Sequence, residues 1–278
     1  MAIISMAMNR SIYIMIMTVM MFLSSCFVKE DRDECPCWMT VEMPGQVRHD
    51  SAVILRLHGN YDEGAMDYAY KISESIKADV GILEYEVPRG SVGVSVVNPA
   101  RLAVPVGEQM DSLYGFFKMY HTRCESVKCD VELHKEFCTV SFTLVDEHYE
   151  SPYDIEVRGN VSGVSPWDLV PVSGAFKYAP VAEEGVYRLR IPRQVDASLE
   201  LVMLEMPGQA GYDGVRTEDD GERAVVSRLP LGEYIIRSGY DWSATDLSDV
   251  SVALDLEKQQ VMVTVSGWDE IVVMDVVI

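Results

Sequence analysis

Apolar and polar residues alternate with a period of two along most of the chain, as expected of strands that bury one face. Trp38-Met39-Thr40-Val41-Glu42-Met43 opens the series, and Pro44-Gly45 ends that strand. Residues 51–57 (SAVILRL) form an apolar run of strand length. Residues 68–75 and 81–87 alternate, and Pro88-Arg89-Gly90 turns the chain into 91–97 (SVGVSVV). Residues 127–133 and 137–145 flank His134-Lys135-Glu136, which predicts a hairpin. Weak helical periodicity near 66–76 and 108–120 supports no long helix. The polar, proline-ended stretch 146–152 (DEHYESP) predicts a linker. Strands are then expected at 153–157, 186–191, 197–206, 222–227, 250–256, 260–266 and 271–278. Short strands separated by turn residues, without intervening helices, predict an all-β fold of two tandem sandwiches.

The first residues break this pattern. Seven of the 16 methionines fall within residues 1–21. Arg10 precedes an uncharged stretch, 11–23 (SIYIMIMTVMMFL), that is too short for a membrane span of about 20 residues. A basic start, a short apolar core and small residues after it describe a secretory signal peptide. Leu23-Ser24-Ser25-Cys26 resembles a bacterial lipobox, in which cleavage precedes the cysteine and its sulfur receives a diacylglycerol. Cys26 is therefore the expected lipidation site, and several acyl chains make a stable anchor at about 0.8 kcal/mol per buried methylene. Lys29-Glu30-Asp31 resembles the Lys-acidic-acidic signal that sends lipoproteins of the Bacteroides group to the cell surface. The expected organisation is a lipoprotein signal peptide (1–25), a lipidated tether (26–37), an N-terminal sandwich (38–148) and a C-terminal sandwich (149–278).

Composition sets the partners aside rather than naming them. The 278 residues carry 44 acidic and 23 basic side chains, a net charge of −21. Such a surface repels nucleic acid and anionic lipid head groups, so membrane contact falls to the lipid. Of six cysteines, lipidation uses Cys26. Cys35, Cys37, Cys124, Cys129 and Cys138 remain in a compartment that permits disulfides, with the pairing open. Cys138 sits in an apolar run (FCTVSFTLV) and reads as a small buried hydrophobe.

Catalytic and metal motifs are missing. The histidines, His49, His58, His121, His134 and His148, form no i, i+4 pair and no HExxH. Gly159-Asn160-Val161-Ser162-Gly163 lacks the Gly-x-Ser-x-Gly spacing. Glu218-Asp219-Asp220-Gly221-Glu222 lacks the ligand spacing of a calcium loop and reads as a solvated tip. No enzyme activity, cofactor or metal is expected. Tyr240-Asp241-Trp242 and Trp268 read as core anchors rather than a sugar platform. Arg193 reads as partner-facing or ion-paired. Asp50-Ser51-Ala52 and Asp111-Ser112-Leu113 resemble the Asp-Ser/Thr-apolar acceptor of Bacteroides-type O-glycosylation.

A distributed likeness runs through the second half. It begins with Ile191-Pro192-Arg193-Gln194, Asp196 and Ser198-Leu199, followed by Leu229-Pro230-Leu231-Gly232-Glu233-Tyr234-Ile235. Gly239-Tyr240-Asp241-Trp242, Asp246-Leu247-Ser248-Asp249, Asp255 and Trp268 complete it. With Cys26, Lys29-Glu30-Asp31-Arg32-Asp33, Cys35-Pro36 and Phe137-Cys138-Thr139-Val140-Ser141-Phe142, the order resembles the FimB-type fimbrial anchor family of Bacteroides-like bacteria. The polar insertion near 208–221 and Cys37 depart from that pattern.

The resemblance implies two transthyretin-like sandwiches in a lipid-anchored, surface-exposed protein of the outer membrane. It implies a role at the base of a fimbria, holding the fimbria and limiting its length. Fimbrial shaft subunits would be the partners, joined by strand-mediated contact. The expected contact residues are Ile271, Val273, Val276 and Ile278, within a final segment that is apolar except for Asp275. That segment reads either as the last strand of its own domain or as one that pairs with a subunit. The alternative function is a surface glycan-binding lipoprotein of the same sandwich class, which needs exposed aromatic residues lining a groove.

Overall fold

The computed structural model describes residues 36–43, 52–60, 70–77, 81–145, 153–205, 225–267 and 271–276. The signal peptide, Cys26, Lys29, Glu30, Asp31, Cys35, Ser51, the 146–152 stretch, the 208–221 insertion, Trp268 and Ile278 lie outside the described residues.

The fold is all-β, as the alternation predicts. In chain order the first half supplies β1 (Cys37–Glu42), β2 (Ala52–Asn60), β3 (Tyr70–Lys77) and β4 (Ile82–Val87). It continues with β5 (Ser91–Val97), β6 (Tyr114–His121), β7 (Ser126–Asp130) and β8 (His134–Lys135). These make a three-stranded sheet, β4-β1-β7, and a five-stranded sheet, β3-β2-β5-β6-β8. Alternation explains the pairing of the two sheets. Cys37, Met39 and Val41 point inward from β1, and Val53, Leu55 and Leu57 from β2. They meet Val92, Val94 and Val96 of β5 in a closed core.

The second half begins with β9 (Phe137–Val145), β10 (Tyr153–Val164), β11 (Pro171–Tyr178), β12 (Ala182–Glu183) and β13 (Val186–Pro192). It ends with β14 (Glu200–Glu205), β15 (Val225–Leu229), a short helix α1 (Leu231–Arg237), β16 (Val250–Asp255), β17 (Gln260–Val265) and β18 (Ile271–Asp275). A four-stranded sheet, β11-β10-β14-β15, faces a six-stranded one, β12-β13-β9-β16-β17-β18. Ile155, Val157, Leu201 and Met203 of the first pack against Phe142, Leu189, Val252 and Val263 of the second.

Two sequence expectations are corrected here. The predicted hairpin around His134-Lys135-Glu136 does not form, because β7 pairs in parallel with β1, whereas β9 pairs with β13 and β16. Consequently β9 lies in the second sandwich, although the expected boundary after residue 148 placed it in the first. The polar tripeptide is a crossing point, and its charges have internal partners. His134 Nδ1 lies 3.1 Å from an Asp246 carboxylate oxygen, and the Lys135 ammonium donates to Asp249 at 2.5 Å. Glu136 accepts from Arg193 Nε at 2.9 Å. Local polarity thus looks like a solvated turn, while tertiary pairing makes it a charged clamp.

The helix is a second departure. Pro230 precedes it, and Leu231, Tyr234 and Ile235 at helical spacing turn into the core. Glu233 in its first turn and Arg237 in its last match the helix dipole. The stretch 114–121, where helical periodicity was weak, is strand β6.

The two sandwiches are joined by contacts in both directions. The long connection from β5 to β6 crosses onto the second sandwich, where Val104, Met110 and Leu113 enter its core. Ala103 bridges Gly163, with Val104 N–H donating to the Ser162 carbonyl at 2.7 Å and Val164 N–H to that of Leu102 at 2.9 Å. Gly163 has φ +146°, and a Cβ there would lie 2.1 Å from the Leu102 oxygen. Only glycine permits this approach. In return, the loop between β10 and β11 covers the outer face of the five-stranded sheet. Trp167 packs edge-on against His58 at 5.6 Å, and Ser95 Oγ donates to the Pro166 carbonyl at 3.1 Å. Leu169 fills the space beside Gly115, where a Cβ would come within 2.6 Å of it.

Candidate functional site at the sheet edges

The final strand forms one edge of the six-stranded sheet. β18 pairs antiparallel with β17, with Ile271 opposite Thr264, Val273 opposite Met262 and Asp275 opposite Gln260. Among the described residues no strand flanks its other side. The apolar segment therefore sits in its own sheet, and it does so as an edge. Period-two geometry splits the expected contact residues. Ile271 and Val273 share the outer face and are 60% and 53% exposed. Val276 lies past the strand end, is buried in the core, and donates its N–H to the Gln259 carbonyl at 2.7 Å. The structure thus brings Ile271 and Val273 together and separates Val276 from them.

The outer face beside β18 carries hydroxyl and apolar side chains, with Arg188 as its one charged residue in the two rows nearest the strand. Arg188, Ser141, Ser251, Thr264 and Ile271 form one row across five strands, by their pairing register. Val186, Thr143, Ala253, Met262 and Val273 form the next. A depression of about 400 Å³ runs over these rows. Neither row contains a carboxylate, on a chain of net charge −21.

The opposite edge is closed. β12 covers only Val186 and Tyr187 of β13. Beyond it, Met110 N–H donates to the Arg190 carbonyl at 2.9 Å, and Arg190 N–H donates to Gln109 Oε1 at 3.0 Å. The Arg190 guanidinium donates to Ser112 Oγ at 2.8 Å, so the hydroxyl of that acceptor-like serine is engaged. A groove of about 550 Å³ between Gln109, Thr139, Tyr178 and Arg188 lies alongside.

The residues that carried the family likeness serve the fold. Arg193 is ion-paired rather than partner-facing. Besides Glu136, it donates to the carbonyls of Trp242 and Ala244 at 2.5 and 2.8 Å, holding the loop after α1. Burial pushes the Glu136 carboxyl above its ordinary range, and Arg193 works against that rise. Asp249 shows the reverse balance. Burial works to raise it, but Lys135 and the Thr139 N–H hold its carboxyl below the usual range. Tyr240 and Trp242 are buried and stack edge-on at 4.6 Å, with the Tyr240 hydroxyl donating to the Ser248 carbonyl at 2.7 Å. Both are core anchors, as expected. Sequence reasoning missed the Gln109-Met110 strap and the Trp167–His58 contact. Their only signal was local: Pro105-Val106-Gly107 and Ser165-Pro166-Trp167 mark turns, without saying what the turns touch. Among the described residues no group of three His, Cys, Asp or Glu side chains is placed to hold a metal ion.

Two β-sandwiches sharing a braced junction define the class of fold. No family model and no curated protein matches the chain. Solved structures do. The fimbrial anchor protein Mfa2 from Porphyromonas gingivalis superimposes with a TM-score of 0.53 at 9% identity, covering 84% of this chain and 98% of that one. A candidate adhesin from Bacteroides ovatus gives 0.54 at 14% identity, with 89% and 97% covered. A Bacteroides thetaiotaomicron protein, described as a candidate polysaccharide-binding protein, gives 0.54 at 13%, with 86% and 98% covered. The chain therefore has the fold of fimbrial and adhesin proteins of these bacteria over nearly the full length of each.

Proposed function

We propose that this chain is a fimbria-associated, lipid-anchored protein of the outer membrane surface that holds a fimbria at its base and modulates its assembly and length. The observation that carries this reading is the likeness to a fimbrial anchor across both sandwiches. The lipobox-like Leu23-Ser24-Ser25-Cys26 and the adjoining Lys29-Glu30-Asp31 support attachment and surface export. The open edge at β18 supports contact with a shaft subunit by strand addition, because an unpaired edge presents a row of free N–H and C=O groups. The reading is non-enzymatic.

Deleting 271–278 is expected to abolish fimbria attachment while acyl labelling of Cys26 persists. Because that deletion also removes buried Val276, the paired substitution I271K/V273K is the cleaner test. It charges the exposed edge and leaves the core side of the strand intact. Cross-linking on intact cells followed by pulldown should lose the shaft subunit in this variant. Unchanged recovery of the subunit would sink the strand-contact mechanism.

The alternative, a surface glycan-binding lipoprotein, draws on the description of the Bacteroides thetaiotaomicron neighbour. Its aromatic platform would have to exclude Tyr240 and Trp242, which are buried. Trp38, 51% exposed on β1, is the aromatic side chain to test. Glycan-array binding abolished by W38A would favour this alternative.

A further inference from the structure

The first strand among the described residues is β1, whose first residue is Cys37. Its side chain is fully buried. Parallel pairing of β1 with β7 fixes what lies beside it. Trp38 stands opposite Ser126, and the Trp38 N–H donates to the Glu125 carbonyl at 2.9 Å. That register draws the turn between β6 and β7 alongside the start of β1. Cys124 sits in this turn with an exposed side chain, its thiol 3.1 Å from the Ser126 carbonyl oxygen. Continuing the register by one residue sets Cys37 level with Glu125, next to Cys124 in the turn. The other described cysteines are placed differently. Cys129 stands opposite Val41, four residues further along β1 or about 13 Å at strand rise, and Cys138 is buried in the second core.

We propose that Cys37 and Cys124 are joined by a disulfide in the exported protein, closing the start of β1 onto the β6–β7 turn. Both are free thiols in the structure, so the bond requires an oxidant: the disulfide of an envelope thiol oxidase or of a small-molecule dithio compound. Cys124, the exposed thiol, attacks the donor disulfide as its thiolate, forming a mixed disulfide and releasing one donor thiol. Cys37 then displaces the second donor thiol. The protein loses two hydrogens as protons plus two electrons, and the donor gains them as two thiols. Burial pushes the Cys37 thiol up to about 11, with Cys124 adding to the rise, which leaves the first attack to Cys124; in the second step proximity to the mixed disulfide offsets the small thiolate fraction of Cys37. The bond would brace the strand at the point where any pull on the tether enters the fold. The bond itself depends on export to an oxidising compartment, and only its mechanical role rests on the anchor reading.

The test is non-reducing peptide mapping of the full mature protein, alkylated as it is extracted from the native envelope. Fragmentation must separate Cys35 from Cys37, which share a proteolytic peptide. The expected product is a Cys37–Cys124 linked peptide pair, two hydrogens lighter than the sum of its parts. Protein made in a reducing cytosol and treated with oxidised glutathione should form the same link. C124S, at an exposed position, should lack it and melt roughly 5–15 °C lower than wild type without reductant, and equally with reductant. Alkylation of both thiols in the envelope sample, a link made only with glutathione, or pairing of either residue with Cys35 or Cys129 would each overturn the proposal. None of these results alters the fimbria-attachment experiment, so the two readings fail separately.

Discussion

The two edges of the six-stranded sheet are handled in opposite ways. At β13 the edge is covered by short β12 and by a strap from the other sandwich, where Met110 and Gln109 take up both backbone groups of Arg190. At β18 the outer edge has no flanking strand among the described residues, and its exposed residues are Ile271 and Val273 rather than charges. Proteins usually blunt such edges with lysine, proline or a bulge, because an exposed apolar edge invites pairing with another chain. One edge is closed by a long crossing connection and the other is left without a flanking strand among the described residues, which is the contrast on which the proposed subunit contact rests.

Four substitutions or conditions break or sharpen that contrast. The largest effect is expected at the crossing that delivers β9 into the sheet. R193M leaves Glu136 buried without its partner and frees the carbonyls of Trp242 and Ala244, so unfolding in denaturant should show a loss of about 3–5 kcal/mol. Next comes the closed edge itself. M110A removes a fully buried side chain from the strap and should cost about 2–5 kcal/mol, with faster amide exchange at Arg190 than in wild type.

A smaller effect tests the brace between sandwiches through pH. Burial lowers the His58 pKa from 6.5, with Asp168 opposing and Lys71 assisting the fall. A histidine lowered in this way is neutral when folded and protonates more readily when unfolded. Stability is therefore full above about pH 6.5 and declines as the pH falls through that value. Thermal scans from pH 7.5 to 5.0 should show this decline, and H58Q should flatten it. The smallest effect belongs to the open edge. I271K/V273K should change stability by about 0.5 kcal/mol or less, yet remove subunit capture. If it destabilises as strongly as M110A, β18 is a structural strand like any other and the contrast between edges fails.

The strands were legible because burial on one face leaves its mark every second residue. Alternation alone places Met39 and Val41 on one face of β1, and that face enters the core, whereas the apolar run at 51–57 marks a strand without saying that Val53, Leu55 and Leu57 are its inward side. Pairing was not legible, since a strand's pattern says which face is inward but not which neighbour it takes. That is why 127–133 and 137–145, adjacent in sequence, read as a hairpin, whereas β7 and β9 lie in different sandwiches. Strand β6 scattered its apolar residues because Phe116 faces the first core while Phe117 lies against His58 beneath the loop from the second sandwich. The helix was missed for its length, seven residues, about two turns of periodicity. For the expected contact residues, the apolar run at 271–278 marks a strand, and β18 forms within it. Only the position of the strand end showed that Ile271 and Val273 face outward while Val276 does not.

By itself the sequence determined an all-β body and the place of most of its strands, with an expected signal peptide and a tether lipidated at Cys26 ahead of them. Tertiary structure decided where one sandwich ends and the next begins, which charges are internal clamps, and which of the sheet's two edges is left open. The physical reason is range. Alternation, turns and leader motifs are written over a few neighbouring residues. Strand order, the Arg193–Glu136 pair and the Gln109-Met110 strap depend on residues far apart in sequence, whose meeting no local pattern records.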